Sequence, residues 1–166
     1  MVKIIHIYHL FLLDQKKMLS EIEKHDPSCI FLAYPNNPTG NLFDHTLIKK
    51  IIDRASGLVI IDEAYHPYSG QTFLTEILEN EHMVVLRTFS KFGLAGLRLG
   101  FLVGPHPWLE EINKVRLPYN INSVTQASVR FALSKEAWFR KHESGHEESG
   151  RHFPVQPANG RCHDGS

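Results

Sequence analysis

Two rhythms of apolar residues alternate along the chain. One is a set of short, nearly unbroken apolar runs: Val2–Tyr8, Cys29–Ala33, Leu58–Ile61, Met83–Arg87 and Leu99–Val103. Runs of this length, rich in Ile, Val and Phe, predict β-strands. The other rhythm is helical. Asp14 can cap a helix in which Met18, Leu19 and Ile22 fall on one face. Asp44 can cap a second, with Leu47, Ile48, Ile51, Ile52 and Ala55 on one face and Gly57 as its stop. Phe73–Leu78 predicts a short helix. Pro107 suits the first turn of a helix containing Trp108, Leu109, Ile112 and Val115. Ser123 and Gln126 have capping-box spacing ahead of Ala127, Phe131 and Ala132.

The strand runs are continuous rather than alternating, which predicts a sheet covered on both faces. Strands that take turns with helices then give an α/β fold, a mostly parallel sheet flanked by helices. From about residue 141 the pattern stops. Residues 141–166 are polar, rich in His, Gly and Pro, and nearly free of aliphatic side chains. Such a segment buries too little apolar surface to offset its ordering entropy, so a disordered tail is expected after an ordered region, 1–140.

Composition narrows the class. Of 166 residues, 42% are hydrophobic and 22% charged, as in an ordinary globular protein with a real core. A formal net charge of zero gives neither nucleic acid nor an anionic membrane a reason to bind. Cys29 and Cys162 form no CxxC or disulfide framework, which points to a reducing compartment. Cys29, inside an apolar run, is expected in the core. The stretch Ile4–Leu13 after Lys3 has the length of a signal-peptide core. Two histidines interrupt it and no small-residue cleavage site follows, which favours a buried strand. No run is long enough to cross a bilayer.

The chemistry gathers at the strand ends, where open α/β sheets bind ligands. After Cys29–Ala33 comes YPNNPTG (Tyr34–Gly40), after Leu58–Ile61 comes DEAY (Asp62–Tyr65), and after Met83–Arg87 comes TFSK (Thr88–Lys91). Taken singly, each has a plain structural reading. Asn-Pro-Thr-Gly is a good turn, an Asp past a strand often caps or turns the chain, and a Lys or Arg there can simply reach solvent. Taken together on neighbouring strands, Asn37, Asp62, Tyr65, Ser90, Lys91 and Arg98 could share one cleft.

These residue types suit one cofactor, pyridoxal 5′-phosphate. Its aldehyde needs an amine, Lys91. Its ring nitrogen needs a carboxylate to stay protonated and electron-accepting, Asp62. Its phenolic oxygen needs donors, Asn37 and Tyr65. Its phosphate needs hydroxyls and a guanidinium: Thr88, Ser90 and Arg98.

On FLAYPNNPTGNLF, VIIDEAYHPYSG, LRTFSKFGLAGLRLGFLVG and LPYNINSVTQASVRFAL, the sequence resembles the class I/II pyridoxal-phosphate-dependent aminotransferases of the aspartate aminotransferase fold, fold-type I. Within them it is most similar to the histidinol-phosphate aminotransferases. The resemblance spans roughly Ile22 to Leu133, and four linked motifs are far more specific than one. It implies transamination between an amino donor and a 2-oxo acid, here histidinol phosphate and 2-oxoglutarate, in histidine biosynthesis. It also implies a cytoplasmic homodimer, a Schiff-base role for Lys91, and cofactor contacts from Asn37, Asp62, Tyr65, Thr88, Ser90 and Arg98. A further implication is that the strand Leu99–Val103 runs against its neighbours. Residues 1–140 would then be part of the large cofactor-binding domain of a truncated enzyme. The alternative within the same fold is an inactive fragment.

One rival reading uses different chemistry. HESGH (His142–His146), with His152 beyond it, matches the H-E-x-x-H zinc pattern. A zinc protease carries that pattern on a buried helix, whereas Ser144, Gly145, Glu147, Glu148 and Ser149 favour solvent. No catalytic metal site is therefore expected, and what is left of this rival is a zinc-binding protein whose His-rich tail chelates loosely.

Overall fold

The computed structural model describes residues 13–135. The expected strand Val2–Tyr8, the polar tail with its HESGH motif, and Cys162 lie outside the described residues.

Among the described residues, four strands and four α-helices follow one another: α1 (Gln15–His25), β1 (Cys29–Ala33), α2 (His45–Arg54), β2 (Leu58–Asp62), β3 (Met83–Thr88), β4 (Gly100–Val103), α3 (His106–Val115) and α4 (Ser123–Ser134). Short 3-10 turns fill the links, among them Leu74–Glu79 where a short helix was expected. The strands lie side by side in chain order. β1, β2 and β3 are parallel, with Ala33 beside Asp62 and Asp62 beside Leu86. β4 runs antiparallel to β3, as the resemblance implied.

Local chemistry explains the helix boundaries. The Asp14 carboxylate accepts from Lys17 N at the start of α1, and the Asp44 carboxylate accepts from Leu47 N at the start of α2. Pro107 occupies the first turn of α3. Two expected signals work differently. α4 is capped by Asn122, whose side chain accepts from Thr125 N, so Ser123 is its first residue rather than its cap. The Gln126 side chain donates instead to Ile121 O at 3.0 Å. α2 ends at Arg54 with Ala55 extended, and Gly57 serves close packing rather than helix termination. A Cβ built on Gly57 would stand 2.4 Å from Ser28 O, so only hydrogen fits there.

The main core lies between one face of the sheet and α1 and α2. Met18 and Ile22 of α1, Leu47, Ile48, Ile51 and Ile52 of α2, and Val59, Ile61, Met83 and Val85 of the strands form one cluster with Phe73. The other face holds a smaller cluster, Leu58, Ile60 and Val84, with Leu86, Leu102 and Trp108 packed against it. That cover does not reach β1. Cys29 is exposed and Phe31 is 67% exposed, so Cys29 is not a core residue and β1 is covered on one face only. Its continuous apolar run reflects composition, not two-sided burial among the described residues.

Candidate active site

Each of the three parallel strands ends in a tight, internally bonded turn. Beyond β1 the chain passes Tyr34–Pro35 and Asn37–Pro38, both cis peptides, and closes on itself. Asn36 N donates to Asn41 O at 2.9 Å, and Gly40 N donates to Asn36 O at 2.7 Å. Gly40 sits at φ 70°, a conformation that glycine adopts without steric cost. The Asn-Pro-Thr-Gly segment is thus a turn, and the turn holds Asn37 outward at its tip.

Beyond β2, Asp62 Oδ1 accepts from Ala64 N at 2.9 Å, an Asx turn that swings the chain into the 3-10 turn His66–Tyr68. Tyr65, at the start of that turn, meets the β1 loop: Asn37 Nδ2 donates to Tyr65 Oη at 3.1 Å. Beyond β3, the Thr88 hydroxyl accepts from Ser90 N at 3.1 Å and caps the 3-10 turn Phe89–Lys91. The Thr88 and Ser90 hydroxyls are 3.0 Å apart. Lys91 closes that turn, and its Nζ stands 4.6 Å from the centroid of the Tyr65 ring. A cation over a tyrosine face is a favourable contact.

Three strand ends therefore meet at Asn37, Tyr65 and Lys91. Thr88 and Ser90 stand in the turn that carries Lys91. Two candidates are less directly joined. Among the described residues, the Asp62 carboxylate bonds only within its own turn, while its backbone carbonyl accepts from Tyr34 N at 2.8 Å, and Arg98 makes no side-chain bond. Arg98 follows the 3-10 turn Ala95–Leu97 in the left-handed region, φ 48° and ψ 39°, and is exposed. An apolar hollow of about 420 Å³, lined by Leu94, Leu97, Ala127, Ser128, Phe131 and Ala132, touches none of the candidates.

Sequence reasoning missed the group behind these turns. Glu63 is buried, and its carboxylate is fully partnered. Arg87 donates to Oε2 from Nε at 3.0 Å and from Nη2 at 2.8 Å. The Thr72 hydroxyl donates to Oε2 at 2.9 Å, and Phe73 N donates to Oε1 at 2.6 Å. Arg87 Nη2 also donates to Thr72 Oγ1 at 2.9 Å. A signal was present: Val59, Ile61, Glu63 and Met83, Val85, Arg87 are two period-two series that end in opposite charges. His66 lies nearby, its Nδ1 buried without a partner. Burial first, and then the Arg87 cation, push its pKa below the usual histidine value, with Glu63 opposing them.

The donor set fits a phosphorylated pyridine aldehyde. Among the described residues the Lys91 ammonium makes no hydrogen bond and Asp62 Oδ2 accepts none, so an amine and a carboxylate oxygen are available. The amide–phenol pair, two adjacent hydroxyls and an exposed guanidinium complete the types such a group requires. No cluster of His, Cys, Asp or Glu suited to a metal occurs among the described residues. No helix among them is long and apolar enough to cross a membrane.

Comparison with known proteins points the same way. The chain is 52% identical over 125 residues to histidinol-phosphate aminotransferase 2 of Nitrosococcus oceani, covering 75% of this chain and 35% of that protein. Identity to histidinol-phosphate aminotransferase 2 of Cupriavidus pinatubonensis is 45% over 132 residues, covering 76% of this chain and 36% of the relative. The chain thus spans about a third of the length of these relatives. Among solved structures, a putative histidinol-phosphate aminotransferase from Erwinia carotovora atroseptica superposes with TM-score 0.73 at 23% identity, covering 82% of this chain and 42% of that one. The Sinorhizobium meliloti histidinol-phosphate aminotransferase in complex with pyridoxal-5′-phosphate gives 0.71 at 21% identity, covering 82% and 39%. At such identities the superpositions establish a shared fold. A family model described as aminotransferase class I and II matches residues 2–153, running through every strand end that carries a candidate residue, and on that match the chain belongs to the class I and II aminotransferases.

Proposed function

We propose that this chain carries cofactor-binding machinery of a pyridoxal-phosphate-dependent aminotransferase that acts on histidinol phosphate and 2-oxoglutarate. The observation that carries the reading is the meeting of Asn37, Tyr65 and Lys91 from three separate strand ends. When bound, the cofactor supplies an electron-accepting ring that stabilises negative charge at the substrate α-carbon. Lys91 provides the amine for the aldehyde and moves a proton at that carbon. Asp62 keeps the ring nitrogen protonated. Asn37 and Tyr65 donate to the phenolic oxygen. Thr88, Ser90 and Arg98 hold the phosphate, with the guanidinium as the charged partner.

The reading includes a cytoplasmic location and a homodimer, as the family resemblance implies. Adding pyridoxal phosphate to the purified chain, reducing with borohydride and mapping the label tests it. Label on Lys91, lost in Lys91→Ala, is the expected outcome. Label scattered over surface lysines, unchanged in that variant, would refute the site.

A second reading is a chain that binds the cofactor without turning over substrate: among the described residues the sheet that carries Lys91 is packed against α1 and α2, while α3 and α4 leave Val115 and Leu133 exposed. Formation of glutamate from histidinol phosphate and 2-oxoglutarate separates the two: turnover lost in Lys91→Ala supports the enzyme, and Lys91 labelling without turnover supports the inactive form.

A further inference from the structure

We infer that Glu63 and Arg87 are positioning residues, a charge pair with a buried carboxylate and a partly buried guanidinium that fixes Asp62 and Thr88 where a phosphorylated pyridine ring would need them. The inference rests on the cofactor reading above and deepens it. Neither residue belongs to the proposed cofactor contacts, and each is one position from a residue that does.

Side chains on a strand alternate between faces. In β2, Val59 and Ile61 point into the main core, and Leu58 and Ile60 into the smaller cluster. In β3, Met83 and Val85 point to the first face, and Val84 and Leu86 to the second. Continuing both series puts Glu63 and Arg87 on the main-core face. Asp62 and Thr88 fall on the opposite face. The last paired positions are Asp62 and Leu86, and Glu63 N donates to Leu86 O at 2.9 Å one step further on. Glu63 and Arg87 therefore meet directly across the two strand ends.

Such a pair acts as a register lock. A slip of one residue flips every side chain to the other face. Here it would remove a buried carboxylate from its guanidinium, an arrangement far more costly than a shifted apolar contact. Glu63 also ties in the returning chain, since Phe73 N and the Thr72 hydroxyl both donate to it. The carboxylate thus joins β2, β3 and the segment before the 3-10 turn Leu74–Glu79 at one point. Stability alone does not call for charges there, because well-packed apolar residues of similar volume commonly stabilise a core as well or better. What the charged pair adds is a single permitted alignment of two adjacent strand ends.

The test compares three proteins: the parent chain, Glu63→Gln, and the double variant Glu63→Met with Arg87→Met. Three quantities are read: the unfolding temperature without cofactor, the chemical shift of the Ala64 amide that donates to Asp62, and affinity for pyridoxal phosphate from its visible band with label mapped to Lys91. The expected result for the double variant is an unfolding temperature near the parent's, a displaced Ala64 resonance, and cofactor binding about tenfold weaker or more, as misplacement of binding groups brings. A parent-like Ala64 resonance together with parent-like affinity would overturn the inference. If the double variant does not fold, Glu63→Gln is read by the same two criteria. If the parent chain gives no Lys91 label, the cofactor reading fails, and the Ala64 resonance still decides whether the charge pair positions Asp62.

Discussion

α2 and α4 look alike in the sequence and differ in the fold. Both are amphipathic, and both begin at an Asp or Asn whose side chain accepts from the third residue onward. In α2, Leu47, Ile48, Ile51 and Ile52 are all buried. In α4 only Ala132 is buried, while Val124, Phe131 and Leu133 are exposed. α3 resembles α4: Val115 is open, and Trp108 is its tie to the second cluster, with Nε1 donating to Glu81 O at 3.0 Å. An apolar stripe shows that a helix needs a partner surface, not that the same stretch of chain supplies one. The turns that bear Asn37, Tyr65 and Lys91 grow from the three strands whose one face α1 and α2 seal. Arg98 leads toward the open part, which is also where its side chain has no partner among the described residues.

The sharpest way to break this contrast is to remove apolar atoms from the sealed side. Ile51 is fully buried in the main core. Ile51→Ala is expected to cost about 2–5 kcal/mol, the lost transfer energy plus the cavity left behind. Denaturant unfolding measures it. A loss of under about 0.5 kcal/mol, the level of a neutral surface change, would show that the two sides are not different in kind.

The sequence made much of this visible, and its failures have physical causes. β1–β4 were legible because each is a compact apolar run, and α1–α3 because Asp14, Asp44 and Pro107 are start signals that act within one helical turn. The three strand-end motifs were legible because each is local. Long-range facts were not. Cys29 read as core because an apolar run does not say whether its second face is covered. Ser123 read as a cap because Ser and Asn compete for that role, and only the backbone decides that Asn122 takes it. Glu63 and Arg87 went unnoticed because their pairing depends on the register of β2 and β3, which no single segment specifies. The strongly local Asn-Pro-Thr-Gly turn revealed the loop but not that Asn37 would reach Tyr65.

The caps sharpen the contrast further. Asp44→Ala and Asn122→Ala each remove one side-chain acceptor from a helix start, worth about 1 kcal/mol. In α2, which is packed along its length, the loss is expected in global stability. In α4, which has little packing to hold it, the loss is expected as fraying. Hydrogen exchange should then accelerate at Thr125 and the following amides in Asn122→Ala, with little change in the overall unfolding midpoint. Equal drops in the midpoint for both variants would mean that α4 unfolds with the sheet as one unit.

A smaller effect probes the sealed side by pH. His66 has its pKa lowered from 6.5 by burial and by Arg87, so the unfolded chain binds a proton more readily than the folded one. The resulting contribution is fully present above the unfolded value and is lost as pH falls from there through the folded value. The parent should lose stability on acidification below about pH 6.5 more steeply than His66→Gln, because the histidine alone titrates in that range when unperturbed. Matching pH profiles for the two would show that the unpartnered Nδ1 has no cost in the fold.

The smallest expected effect lies on the open side. Leu133 is exposed on α4, so Leu133→Ser removes an apolar group that the described fold does not bury. Changes at such positions are usually within about 0.5 kcal/mol. Serine is a poorer helix former than leucine, which sets the sign slightly against α4. Solubility should move the other way. Val115, Leu117, Tyr119, Val124 and Phe131 are exposed as well, and exposed apolar surface promotes self-association. Light scattering of the purified chain should therefore fall in Leu133→Ser while its unfolding midpoint stays near the parent's. A midpoint loss comparable to that of Ile51→Ala would mean that α4 buries this residue in solution, and the division between a sealed and an open half would no longer hold.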